Sequence, residues 1–196
     1  MTWIENITDE VRDNLGRLEA SVKNMDVLIQ SILEYSTAGK SSSEGKIVKI
    51  DALIYEILDL IGAGDNIDLE IKSDMPVFLT DSIKLSQIFS NLISNAIKHN
   101  SSANKKLIIS SQRKGEFYEF IVADNGPGIA PEYQEKVFQM FQTLEAGDKF
   151  ENTGVGLPIV KKLVEETNGS IKVEPVAGGG TAFVFLWPTT FENAKG

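Results

Sequence analysis

The chain has 196 residues, of which 42% are hydrophobic, 24% charged and 8% aromatic. A chain of that size buries roughly 70% of its unfolded surface, and its composition excludes a disordered, collagenous or low-complexity protein. A net charge of −9, no cysteine and a single histidine argue against nucleic-acid tracking, disulfide frameworks, thiol nucleophiles and multi-histidine metal sites.

Residues 8 to 37 read as one long helix, with Thr8 as its cap, Asp9 and Glu10 suited to its positive end, and Gly39 as its stop. Val11, Leu15, Leu18, Val22, Met25, Ile29 and Ile32 follow one another in alternating steps of four and three. That heptad stripe is the pattern of a coiled-coil or bundle seam. The plainer alternative is a helix lying on its own domain. The soft segment Thr37 to Gly45 favours a separate oligomerising element, self-associating through residues 11 to 32.

Residues 46 to 190 read as one domain. A short strand at Lys46 to Ile50 precedes a helix that Asp51 is expected to cap. Strands follow at Ile67 to Ile71 and Val77 to Leu79. Asp81 caps a helix running to about Lys98. Leu107 to Gln112 and Phe117 to Ala123 form a hairpin around Lys114 and Gly115. A Gly/Pro loop, a short helix near Pro131 to Phe138, a polar stretch to Thr153 and a third helix after Gly156 come next. Ile171 to Glu174 and Thr181 to Trp187 close the domain as strands around Gly178 to Gly180. This order predicts an α+β fold: a two-layer sandwich with helices on one face of a mixed sheet. The division is thus 1–38, a linker at 39–45, and 46–190.

The N-terminus carries no signal pattern, and the longest apolar run, Ala182 to Trp187, is too short to cross a bilayer. A cytoplasmic setting is expected, with no nucleic-acid partner and no membrane segment in this chain. Gly39, Lys40 and Ser41 imitate the end of a P-loop, but Glu34 stands where the earlier glycine belongs. Gly126/Gly128 and Gly154/Gly156 both lack the third glycine of a dinucleotide loop, at Pro131 and Ile159.

Three other segments carry chemistry. Asn91, Asn95 and Lys98 share one helical stripe beside the apolar stripe Leu85, Phe89, Leu92 and Ala96, with His99 at its edge. Amide oxygens can ligate a hard cation and lysine can meet phosphate; alone, the stripe also reads as a solvated helix face. Asp124, Gly126, Gly128 and Ile129 follow the apolar strand Phe120 to Ala123. A carboxylate there can accept from an amino group, and glycines admit a ligand to the backbone. Alone, this is equally a tight turn with a capping Asp. Thr153, Gly154, Val155, Gly156 and Leu157 open a helix with Pro158 in its first turn, an anion site or a glycine-rich connector.

In this order the three segments resemble the Bergerat ATP-binding fold of histidine kinases, shared more distantly with DNA gyrase, MutL-type repair ATPases and the large heat-shock chaperones. Asn91 to Asn95 looks like the N box, Asp124 to Gly128 the G1 box, Phe138 and Phe141 the F box, and Gly154 to Leu157 the G2 box. Gly179 to Phe183, with Thr181, resembles the small-residue turn before the last strand. The resemblance covers roughly residues 46 to 188. The long helix, ending in Leu33, Glu34, Tyr35 and Ser36, resembles the second helix of the dimerisation and phosphotransfer domain, in the manner of phytochrome-type sensor kinases.

The resemblance implies ATP and Mg²⁺ as ligands. Asp124, with Gly128, would read the adenine amine, and Asn95 would ligate Mg²⁺, which needs few protein ligands. Lys98 would face phosphate oxygens, His99 would line the pocket, and the amides of Gly154 to Leu157 would cradle the phosphates. Gly126, Ile129, Phe141, Thr153 and Thr181 complete the pocket. Residues 139 to 152 would form a lid, with Asn152 standing where the box usually has glycine. Hydrolysing relatives carry Glu where this chain has Asn91, so weak hydrolysis is expected, and transfer of the γ-phosphoryl group through positioning by Asn91 and Lys98. A response regulator is the implied downstream partner. The acceptor histidine of such kinases, on the first bundle helix, has no match here. The chain is therefore expected to behave as a fragment that binds ATP without phosphorylating itself. A nucleotide-sensing module without transfer and an anti-sigma-type serine kinase are the rival readings.

Overall fold

The structure is a computed structural model that describes residues 9–38, 44–63, 67–142 and 154–191. Helix α1 spans Asp9–Thr37, and Ala38 continues it with an N–H to the Glu34 carbonyl at 2.8 Å. Thr8, Gly39 and most of the expected linker lie outside the described residues. The seven stripe residues are all 47% to 62% exposed, so none of the described residues covers the seam.

Strand β1 (Lys46–Lys49) runs straight into helix α2 (Ile50–Ile61). Asp51 does not cap this helix: Lys49 holds the cap position without a side-chain bond, and Asp51 lies in the first turn, accepting from the Ala52 N–H at 2.8 Å. Ile50 is drawn into the helix because its side chain is fully buried there. Gly62, at φ 67°, ends α2 in a left-handed turn.

Strands β2 (Ile67–Ile71) and β3 (Val77–Thr80) lead to helix α3 (Ser82–Lys98). Asp81 caps α3 as its sequence position implies, its Oδ1 accepting from Ile83 N at 3.1 Å and Lys84 N at 3.0 Å. Strands β4 (Lys105–Lys114) and β5 (Phe117–Asp124) form the hairpin, turning at Gly115 with φ 61°. Two short 3₁₀ turns, Pro131–Tyr133 and Lys136–Phe138, stand where one short helix is predicted. Helix α4 (Gly156–Glu165) and strands β6 (Ile171–Pro175) and β7 (Thr181–Pro188) complete the chain.

The main sheet has five strands in the order β2-β4-β5-β7-β6. Only β2 and β4 pair in parallel, which requires a crossover; α3 supplies it. Strand β3 does not join this sheet but pairs antiparallel with β1 in a separate ribbon. The ribbon is tied to the main sheet by a buried bond from Trp187 Nε1 to Thr80 Oγ1 at 2.8 Å.

Helices α3 and α4 pack their apolar stripes on the sheet. Leu85, Phe89 and Leu92 of α3 are fully buried and Ala96 nearly so. Phe89 meets Phe120 and Phe185 edge-on, at 5.5 and 5.6 Å between ring centroids, the geometry that aromatic quadrupoles favour. This packing fixes the polar stripe of α3 at the border of the core. The last turn of α1 also docks here. Ala38 is buried, Lys162 of α4 donates to the Tyr35 carbonyl at 2.8 Å, and its ammonium lies 4.8 Å from the Tyr35 ring centre.

Candidate functional site

The end of β5 presents Asp124. Its Oδ1 accepts from the Gly126 N–H at 2.7 Å, and the backbone of Thr181 also donates to it. Burial pushes the carboxyl above its ordinary value, against the pull of those two donors and of nearby His99. The glycines are needed for close approach. A Cβ on Gly128 would stand 3.2 Å from the Gly180 carbonyl oxygen, and one on Gly180 would overlap the Asp124 carbonyl. Both glycines have positive φ, 81° and 111°. Thr181 is 5% exposed, and its hydroxyl has no protein partner among the described residues. Ile129 packs against the core beside this turn.

The second part of the site lies between α3 and α4. Asn91 donates from Nδ2 to the Gln87 carbonyl at 2.8 Å. Its Oδ1 is 2.7 Å from where a Cβ of Gly156 would sit, so the missing side chain lets the two helices bring these residues together. Val155 precedes α4 without a side-chain cap, and Pro158 lies within the first turn. With no side-chain cap among the described residues, the N–H groups of Gly156 and Leu157 can serve an anion. The Val155 side chain itself is buried in the core, so only its backbone faces this end.

Asn95 and Lys98 lie further along α3, and His99 caps it. The Asn95 amide and the Lys98 ammonium make no side-chain bond among the described residues, and Lys98 and His99 are exposed. Phe141 has a left-handed backbone at φ 62° and is 47% exposed. Its N–H donates to the Gly154 carbonyl at 3.0 Å, and Gly154, at φ 63°, leaves room for that chain crossing. Thr153, Asn152 and most of the expected lid lie outside the described residues.

The two parts are not bonded directly to each other among the described residues. They are joined through α3 and the loop after it, where Asn100 meets Asn125; the sequence carries no signal for that contact beyond two asparagines just past the ends of α3 and β5. Among the described residues no group of three or more His, Cys, Asp or Glu can hold a metal. A divalent cation here would need oxygens from its ligand, which suits Mg²⁺ on phosphates with one amide from the protein. A half-buried carboxylate and, among the described residues, an unpartnered buried hydroxyl and helix amides without a side-chain cap fit the base and the tail of a nucleoside triphosphate.

Comparison with known proteins gives the class. Residues 80–190 match the family of histidine kinase-, DNA gyrase B-, and HSP90-like ATPases, and the chain belongs to that family. It is 31% identical over 191 residues to the phytochrome-like protein Cph1 of Synechocystis sp., covering 96% of this chain and 25% of the relative. The solved catalytic domain of the histidine kinase ThkA shares 29% identity at a TM-score of 0.64, covering 76% of this chain and 97% of that one. Full-length ShkA, solved in complex with AMPPNP, shares 26% identity at a TM-score of 0.70, covering 96% of this chain and 41% of that one. The chain spans about a quarter of the length of the curated relatives it matches. Within the family it falls with the ATP-binding catalytic domains of sensor histidine kinases.

Proposed function

We propose that this chain binds Mg²⁺–ATP in the groove beside α3 and presents the γ-phosphoryl group to a histidine on a helical bundle domain. The observation that carries the reading is the pairing of a corner formed by half-buried Asp124 and buried Thr181, suited to adenine, with the start of α4 beside Asn91, which has no side-chain cap among the described residues and is suited to phosphate. The AMPPNP found in ShkA supports the same class of ligand.

In this reading Asp124 accepts from the adenine amine, with Gly126, Gly128, Ile129, His99 and Thr181 shaping the base pocket. Asn95 is the protein ligand to Mg²⁺, and Lys98 and Asn91 address the phosphates. The backbone of Thr153, Gly154, Val155, Gly156 and Leu157 cradles the tail, and Phe141, whose N–H meets the Gly154 carbonyl, stands beside it. An amide at position 91 cannot take a proton from water, so the γ-phosphoryl group is kept for another acceptor. Residues 1–38 belong to the dimerisation and phosphotransfer unit, 39–45 link it, and 46–190 form the catalytic domain. The exposed stripe on α1 is the surface for self-association. No helix of the described residues is long and apolar enough to cross a membrane; a cytoplasmic site and a response-regulator partner come from the family likeness alone.

The test is calorimetric titration with AMPPNP, with and without Mg²⁺, followed by incubation with ATP and a bundle domain carrying the acceptor histidine. Tight binding that needs Mg²⁺ and acid-labile phosphate on the added domain are expected. Binding without any transfer would favour a nucleotide-sensing module, and no binding would end the reading.

A further inference from the structure

The base-binding and phosphate-binding ends of the proposed pocket sit on different elements, β5 and α3. Something must fix their separation. Backbone pairing does not do it alone, because the β4–β5 ladder stops at Leu107 and Asp124, one residue short of the turn that carries Gly126.

Asn125 takes over where the ladder stops. Its Oδ1 accepts the Lys106 N–H at 2.7 Å, as the next ladder carbonyl would. The same oxygen accepts from Asn100 Nδ2 at 2.7 Å. Its own Nδ2 donates to the Asn104 carbonyl at 2.9 Å, so the amide's main hydrogen-bonding capacity is used. Asn100 is only 3% exposed, and its Oδ1 accepts the Ser102 N–H at 2.9 Å. It directly follows His99, the cap of α3. A second strap, Lys105 Nζ to the Ile97 carbonyl at 2.8 Å, holds the start of β4 to the last turn of α3.

We propose that the Asn100–Asn125 amide pair is a positioning bridge, setting the distance between the Asp124 carboxylate and the Asn95–Lys98 end of α3. The proposal rests on reading the groove as an ATP site. Asp124 does not itself depend on the bridge, since Gly126 and Thr181 hold it independently. What the bridge adds is simultaneous engagement. A ligand touching both ends gains from a fixed spacing, whereas one touching only the base end does not.

The experiment compares Mg²⁺–AMPPNP with adenosine on the full chain by calorimetry. For Asn125→Ala the AMPPNP dissociation constant should rise about tenfold while that for adenosine stays within about twofold. Asn100→Ser, which removes the donor with less disturbance, should show the same split and decides the matter if Asn125→Ala does not fold. The double variant should be no worse than about twofold beyond the stronger single variant, because the pair acts as one unit. Equal losses for both ligands would make Asn125 an ordinary structural support and overturn the bridge, as would no loss for either. If the unaltered chain binds neither ligand, the ATP reading fails and the bridge with it.

Discussion

The side-chain oxygen of Asn91 lies 2.7 Å from the place a Cβ on Gly156 would occupy. The obstacle is the end of a side chain, not backbone, so the fold can absorb a methyl group there by moving the amide. Gly156→Ala should therefore change stability by less than about 1 kcal/mol yet turn Asn91 away from the start of α4. Thermal melting should be nearly unchanged, with the Mg²⁺–AMPPNP dissociation constant rising about tenfold from the lost polar contact. Unchanged affinity would show that the Asn91–Gly156 contact is packing and nothing more.

Asn91→Glu asks what the same position does in the reaction. A carboxylate there can accept a proton from water and an amide cannot. Steady-state ATP hydrolysis should rise above that of the starting protein. If phosphate release stays at the starting level, position 91 does not separate hydrolysis from transfer.

Asp124 should make nucleotide binding sensitive to pH. Burial raises its carboxyl, and only the ionised form accepts from an amine on either oxygen. Affinity for AMPPNP should be full above that raised value and fall as pH drops through it, earlier than an ordinary carboxylate would give. The free protein moves the opposite way. A raised carboxyl binds more protons folded than unfolded, so its contribution to stability declines as pH rises from the ordinary value through the raised one. Asp124→Asn should flatten both profiles, keep the fold and weaken AMPPNP about tenfold. Calorimetry and melting across mildly acidic pH check this, and an unaltered affinity profile in the variant counts against Asp124 as the titrating group.

Trp187 and Thr80 test the tie between the two sheets. Trp187→Phe leaves the Thr80 hydroxyl, 2% exposed, without its partner. The expected loss is about 2 kcal/mol in urea unfolding. Thr80→Val in the same background should recover part of it, because the orphaned hydroxyl is gone. Additive losses would mean that the bond does not hold the ribbon.

The stripe on α1 predicts concentration-dependent association in sedimentation. Leu18→Glu together with Met25→Glu should shift the chain towards monomer, since each places a charge in the seam. A chain that is monomeric before substitution would argue that the stripe needs a partner other than itself.

Much of this architecture was legible in the sequence because it rests on local signals. The heptad steps, the Asp81 cap, the hairpin at Gly115 and the apolar stripe of α3 are written in nearby residues. Asp51 misled because a capping residue type stood one place past the true start, where burying Ile50 wins over a side-chain cap. The separate pairing of β1 with β3 was invisible, since short strands carry no mark of their partner. The motif spacing named the residues proposed to line the nucleotide site. It did not name Asn100 and Asn125, whose bridge spans elements far apart along the chain, nor Tyr35 and Lys162, which meet only once α1 turns back onto α4.

That last meeting bears on where the molecule can be cut. Ala38 belongs to the core cluster, and Tyr35 shields the flank of α4 through Lys162. A shortened version beginning at residue 46 would lose both, leaving an apolar scar and a lysine with no carbonyl to meet. The helix that looks like a handle is also, at its last turn, a lid on the body it carries.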